Sequence, residues 1–498
     1  MYKIILYFTL QKYILHVFHL IKYIKAEKHS AIMAKICTYC HKCWKKLVQT
    51  SIKKYGKIDW HLIIVYKERI LVMKISGKRE FELLEKMSFV RMGGTAEEMK
   101  AAEILMEEIR SIGLEPELEA FEIEDADLVK GELEVLAPFN KKYVVRAYKL
   151  SENTPEEGLV APFYYAENLT AVDLANAKGK IVLVNGYLSL EQHRKLLKSG
   201  AVAFITMSGT VLDTEENSDL SAMTMRDVRR AFGNMPAATI RLTDAFEIVA
   251  GGATQVKLTA INTPITRTSH NITVTIEGSE KPEEIVSFGG HFDSVEFSKG
   301  AHDNAAGSVI NMEILRHFAE NKPKRTVQVM WYGAEEMGLL GSKAWIKAHE
   351  DELKNHLCMI NTDMAGVVIG YDVARVIGTK EATAHCDAFM RRKGYNVGVT
   401  QEIYSSDSIP FADKGVPAVN FIRFGHHVGG TFIHCRNDLA KFLSEQSIAK
   451  TTQFVLDYGI ELIESEVFPF ERVVPTEMVE KVDKYLAKKE LAEAKKDK

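Results

Sequence analysis

Four short apolar runs in the second half of the chain constrain the fold more than any other feature. They are residues 285–288 (Ile-Val-Ser-Phe), 326–332 (Thr-Val-Gln-Val-Met-Trp-Tyr), 357–360 (Leu-Cys-Met-Ile) and 418–422 (Ala-Val-Asn-Phe-Ile). The first runs into Gly289-Gly290-His291-Phe292-Asp293, the second into Gly333-Ala334-Glu335-Glu336, and the third ends near Asp363. Between the first two, residues 305–318 carry Val309, Met312 and Leu315 at the spacing of one helical face. Strands alternating with helices predict an α/β domain: a doubly wound, mostly parallel sheet with helices on both faces. Ligands of such sheets gather outside the carboxyl ends of the strands. That is where this chain puts its imidazole and carboxylates. Gly289-Gly290 is expected to let the backbone leave the strand sharply.

The residue types suit metal chemistry. Imidazole and carboxylate ligate zinc, and a catalytic site keeps a position open. His291 and Asp293 stand two apart, so on an extended segment they share a face, and the acid can orient the imidazole. Glu335 and Glu336 are adjacent and can point to different tasks. Asp303 precedes a helix, where an anion also suits the dipole.

No one of these pairs is specific, but their order is. HFD, DNAAG, GAEEMGLLGS, NTDMAG and IHCRND, each at a strand or helix end, resemble the pattern of M28 zinc peptidases over residues 80–465. The resemblance implies two Zn²⁺ ions, which Mn²⁺ or Co²⁺ can replace. It implies His291 and Asp363 on one ion, Glu336 and His434 on the other, and Asp303 as the bridge. It implies Glu335 as the general base and Asp293 as the acid that orients His291. His426 and His427 compete with His434, but Asp438 four residues on favours His434, although Ile433 and Cys435 replace the family's usual Tyr and Thr. Tyr404 is a candidate oxyanion donor. Asp407 matches a segment near the substrate pocket, but Ser408 stands where the family often has His. The implied reaction is metal-assisted hydrolysis, with Glu335 taking a proton from water and returning it to the leaving amine. The implied substrate is the N-terminal residue of a peptide.

The rest of the chain divides by texture. Residues 73–118 read as helices that begin the peptidase domain, one with Phe81, Leu84, Met87 and Val90 on a face, the next with Ala101, Leu105, Ile109 and Ile112. Residues 119–263 turn β-rich, with strands expected at 133–136, 143–147, 180–184 and 203–207 and a helix at 190–197. That order resembles the protease-associated (PA) domain commonly inserted in M28 peptidases, and implies a role in substrate access. Residues 264–466 are the catalytic domain. Residues 467–498 read as a charged tail in which Met478, Val482 and Leu486 make one amphipathic helix and 494–498 are disordered, with no function assigned.

Residues 1–72 differ from all of this. They hold 14 Lys+Arg against Glu27, Asp59 and Glu68, while the remainder holds 50 basic against 64 acidic residues. They read as a basic extension, or as an over-extended start with Met73 beginning the folded chain. Residues 4–24 are apolar, but Lys12, His16, His19 and Lys22 interrupt what a span would need. The protein is expected in the cytoplasm, with anchoring or export through this segment as the alternative. Cys37, Cys40, His41 and Cys43 fall short of a closed zinc site, and the six cysteines suggest no disulfide framework. A net charge of -3 gives no reason to expect nucleic acid as a partner.

Three rival functions remain in view. A carboxypeptidase of the same architecture would need basic residues for a free carboxylate, for which Arg423 and Arg436 are candidates. Glutaminyl cyclase-like chemistry is disfavoured because all five ligand positions are filled. A non-catalytic receptor on a peptidase scaffold would have lost ligands that this chain keeps.

Overall fold

The computed structural model describes residues 75–214, 216–425 and 433–496. The expectations for residues 1–72, including the Cys37–Cys43 cluster, and for His426 and His427 lie outside them. Thirteen strands join in one sheet: β1 (Glu117–Ala137), β2 (Lys141–Ala147), β3 (Leu159–Ala166), β4 (Ile181–Val184), β5 (Ala203–Ser208), β6 (Ala237–Arg241), β7 (Gln255–Ile276), β8 (Lys281–His291), β9 (Arg325–Tyr332), β10 (His356–Thr362), β11 (Gly370–Ile377), β12 (Val397–Gln401) and β13 (Ala418–Gly425). Their spatial order is β1-β2-β6-β5-β4-β3-β7-β9-β8-β10-β13-β11-β12.

The second half of that order is the doubly wound sheet. Strands β9, β8, β10 and β13 run parallel, and antiparallel β7 and β11 flank them. Alternation along each strand feeds two cores. On β9, Val327, Val329 and Trp331 face a core with helices Gly77–Met87, Ala306–Glu320 and Glu445–Glu464. Met330 and Tyr332 face the other, with Trp345, Phe411, Met478 and Val482. Helices therefore cover both faces, as such a sheet requires.

β1 and β7, of 21 and 22 residues, pair antiparallel almost end to end and carry the chain into a second lobe and back. There β4, β5 and β6 lie parallel, around a core of Val145, Ile181, Ile205, Ile240 and Leu258. The expected strand–helix–strand sequence appears as β4, helix Leu190–Ser199 and β5. Ser189 starts that helix with a reciprocal capping box to Gln192, and left-handed Gly200 ends it.

Several local expectations need correction. The first helix stops at Met87, so Val90 lies beyond it. β8 does not bend away at its glycines but continues through His291. Those glycines serve close packing instead: a Cβ on Gly290 would meet the Thr362 carbonyl oxygen at 2.5 Å. Asp303 precedes the helix Ala306–Glu320 as expected, within the wide turn Ala301–Ala305, with φ -119 and ψ 91. The tail is not a solvated appendage. Helix Thr476–Tyr485 buries Met478 and Val482, and helix Lys488–Lys496 follows it, covering residues 494–496 where disorder was expected. Among the described residues no helix is long and apolar enough to cross a membrane, and Cys358 and Cys386 are buried free thiols.

Candidate active site

Six of the predicted residues converge at the carboxyl ends of the central strands. His291 ends β8, Glu335 and Glu336 follow β9, Asp363 follows β10, and Asp303 and His434 come from loops. His291 Nε2 lies 3.2 Å from Asp303 Oδ1 and 3.6 Å from Asp363 Oδ1. His434 Nε2 lies 3.2 Å from Asp303 Oδ2 and 3.1 Å from Glu336 Oε2. Asp303 thus turns one oxygen to each imidazole. The result is two groups, His291–Asp303–Asp363 and Asp303–Glu336–His434, whose donor atoms within each group all lie within 4.8 Å of one another. Donors ~2.0–2.2 Å from a shared ion would be spaced in that way.

The electrostatics favour a cation. Burial alone would lower the His291 imidazole, but Glu335, Asp293, Asp303 and Asp363 around it drive its pKa well above the ordinary value. His434, also opposed by burial, is held up at about 11 by Asp303 and Glu336. Burial pushes Glu335 well up, against His291, with Glu336, Asp407 and Asp363 adding repulsion. Protons on these rings stand where divalent charge would otherwise balance the carboxylates, and metal binding would release them. The donor set, imidazole plus carboxylate with no thiolate, fits zinc and its harder neighbours.

The supporting contacts explain why the side chains converge. Asp293, fully buried, faces His291 Nδ1 at 3.3 Å. It also accepts the backbone N–H of Glu335 at 3.0 Å and of Glu336 at 3.2 Å, so one carboxylate aims both the imidazole and the glutamate turn. Sequence reasoning found only the first of these tasks. It missed Glu98, which accepts from the Ser269 hydroxyl, the Ala334 N–H and the Gly94 N–H beneath the same turn. It missed Asp438 as a support: its carboxylate takes the His302 and Asp303 N–H groups at 2.7 and 3.1 Å. Asn304 links the Asp303 turn to the Asp363 loop through Thr362 O, Gly307 N and Met364 N. Arg91 is buried and donates to the carbonyls of Met87, Phe89, Phe292, Lys299 and Gly300, pinning the loops on either side. Most of these partners lie far away in sequence, so no local pattern marks the residues.

The remaining candidates separate. Tyr404 lines the pocket. Asp407 is fully buried and does not; burial pushes its carboxyl up to about 7, against His291 and Ser342. Arg423 is committed elsewhere, to Asp372 at 2.9 Å and to the Val367 and Val368 carbonyls. Arg436 is tied to Asp219 of the second lobe at 2.5 Å. Neither lines the pocket, whereas Arg226, from the second lobe, does, donating to the Glu336 carbonyl at 2.9 Å. Tyr485 of the C-terminal helix also lines it, its hydroxyl 2.5 Å from Ser405 Oγ.

The comparisons with known proteins agree with this geometry. Residues 271–459 match the model of peptidase family M28. The chain is 29% identical to aminopeptidase YwaD of Bacillus subtilis over 67% of its own length and 72% of that protein. It is 26% identical to carboxypeptidase Q of Bos taurus, covering 66% and 74%. The solved structure of BSAP, a zinc aminopeptidase from Bacillus subtilis, superposes with a TM-score of 0.65 at 24% identity, covering 82% of this chain and 99% of that one.

Proposed function

The chain belongs to peptidase family M28, and from that premise we propose that it is a two-zinc aminopeptidase that removes N-terminal residues from peptides. The observation that carries the reading is the division of Asp303 between two donor groups. In this reading His291 and Asp363 hold one ion, Glu336 and His434 the other, and Asp303 both. When bound, such a pair supplies Lewis acidity toward a carbonyl oxygen and toward water.

The chain's own residues then divide the proton work. Glu335, buried beside His291, takes a proton as the water oxygen attacks the scissile carbonyl carbon. It delivers that proton to the amide nitrogen as the C–N bond breaks. The Tyr404 hydroxyl, on the pocket wall, donates to the oxyanion. Asp293 keeps His291 and the Glu335 backbone in register throughout. The second lobe, which we read as a PA-like insertion, reaches the pocket through Arg226 and controls access to it.

One observation favours a second reading, a carboxypeptidase. Arg226 is a guanidinium on the pocket wall, suited to a substrate carboxylate. A panel of N-blocked and C-blocked peptides, run with metal analysis of the purified protein, separates the two. Cleavage of aminoacyl anilides and free-amine peptides, lost on N-acetylation, supports the aminopeptidase; cleavage of N-blocked peptides lost on C-amidation replaces it.

A further inference from the structure

The pocket does not end at the paired donor groups. It is small, about 250 Å³, and it adjoins a second cleft of about 470 Å³. The two share Arg226, Gly338, Leu339 and Tyr485, so they meet along one seam. Four parts of the fold build the second cleft: Thr224 and Val228 of the inserted lobe, Lys343 of the helix after the glutamate turn, β1 around Ile123, and Tyr485 with Leu486 at the end of the helix Thr476–Tyr485. Ligand sites commonly enclose about 300–1,000 Å³. The donor pocket falls below that range and the cleft within it. Around Ile123, β1 pairs with β7 along one edge only, since β2 joins β1 at 132–135. Among the described residues the opposite edge there has no strand partner, the kind of edge on which an extended peptide lies down.

Resting on the peptidase reading, we propose that this cleft is the subsite for the peptide beyond the scissile bond, and that the site is built for oligopeptides rather than dipeptides. The donor pocket has room for little more than the terminal residue. The rest of a longer substrate must leave it, and the seam between Arg226 and Tyr485 opens onto the cleft. The lining sets Glu122, Glu124 and Asp227 against Arg226 and Lys343, so both charges are present and it recognises extended backbone. Contacts made there, remote from the reacting atoms, are the kind of binding energy that accelerates a longer substrate.

The test compares a dipeptide with a pentapeptide that shares its first two residues. Wild-type kcat/KM should rise roughly tenfold with length, and Val228→Trp, which fills the cleft, should remove most of that gain. A flat length dependence in the wild type, or a gain surviving both Val228→Trp and Lys343→Glu, overturns the proposal. Calorimetry on the zinc-loaded Glu335→Gln protein repeats the comparison without turnover: the pentapeptide should bind roughly tenfold more tightly than the dipeptide, and Val228→Trp should abolish the difference. If the wild type cleaves neither peptide while the pentapeptide still binds more tightly, the peptidase reading falls and the cleft stands. Equal binding of the two peptides refutes the cleft whatever the activity.

Discussion

Glu335 and Glu336 are neighbours in sequence with different surroundings, and substitution should separate them. Glu335→Gln should lower kcat by roughly 10²–10⁴, the size of an acid–base contribution, with metal content unchanged. Near-normal turnover would remove Glu335 from its role. Asp303→Ala should lose both ions on dialysis; two equivalents of zinc by mass spectrometry would contradict a shared carboxylate. His434→Ala should lose one. The convergence of His291, Glu335, Glu336 and Asp363 was legible because each ends or follows an apolar run, and a doubly wound sheet brings strand ends together. His434 was legible only through its spacing to Asp438, and that spacing concealed what Asp438 does. Its carboxylate binds backbone N–H groups more than 130 residues away, which no periodicity records.

At the level of elements, the glutamate turn after β9 rests on a buried acid. Burial, with Asp293 adding repulsion, pushes Glu98 up to about 8, against the donors from Ser269, Gly94 and Ala334. A carboxyl whose folded pKa lies above its unfolded value keeps its proton longer in the native state, so stability falls as pH rises from about 4.5 toward 8 and then levels. The Tm should decline over that window, and Glu98→Gln should flatten the decline at the cost of a lower Tm throughout. An unchanged slope in the variant would show that Glu98 does not titrate there. The helix Gly77–Met87 was legible from its spacing, but its boundary was not: Ser88 ends it, and Val90 passes into the loop anchored by Arg91. Nothing in the sequence marks Arg91, and only the fold reveals five carbonyls around it.

Across the whole molecule, the tail was half legible: the spacing of Met478, Val482 and Leu486 marked its amphipathic helix, but not its docking nor the helix that runs through 494–496. Its Lys- and Glu-rich composition suggests solvent, yet Met478 and Val482 complete the core that contains Trp345 and Phe411. Deleting residues 476–498 should cost about 3–6 kcal/mol, taking ~1.5–3 kcal/mol for each of the two buried side chains, and should also remove Tyr485 from the pocket. Denaturant melts of the truncated and full chains give the difference; equal midpoints would mean the helix does not dock. The second lobe was legible as a β-rich segment, but its join was not, because β1 and β7 pair across more than 100 residues.

That join has a mechanical consequence. Two strands running side by side from one lobe into the other act as a girder, and swinging the lobes apart would tear its rungs. Of its two register shifts, the one between Leu128 and Lys130 lies mid-ladder, where Val129 stands exposed and a bulge lets a ladder flex. Traffic to and from the pocket must therefore go sideways past the loops, with any give concentrated at that one joint.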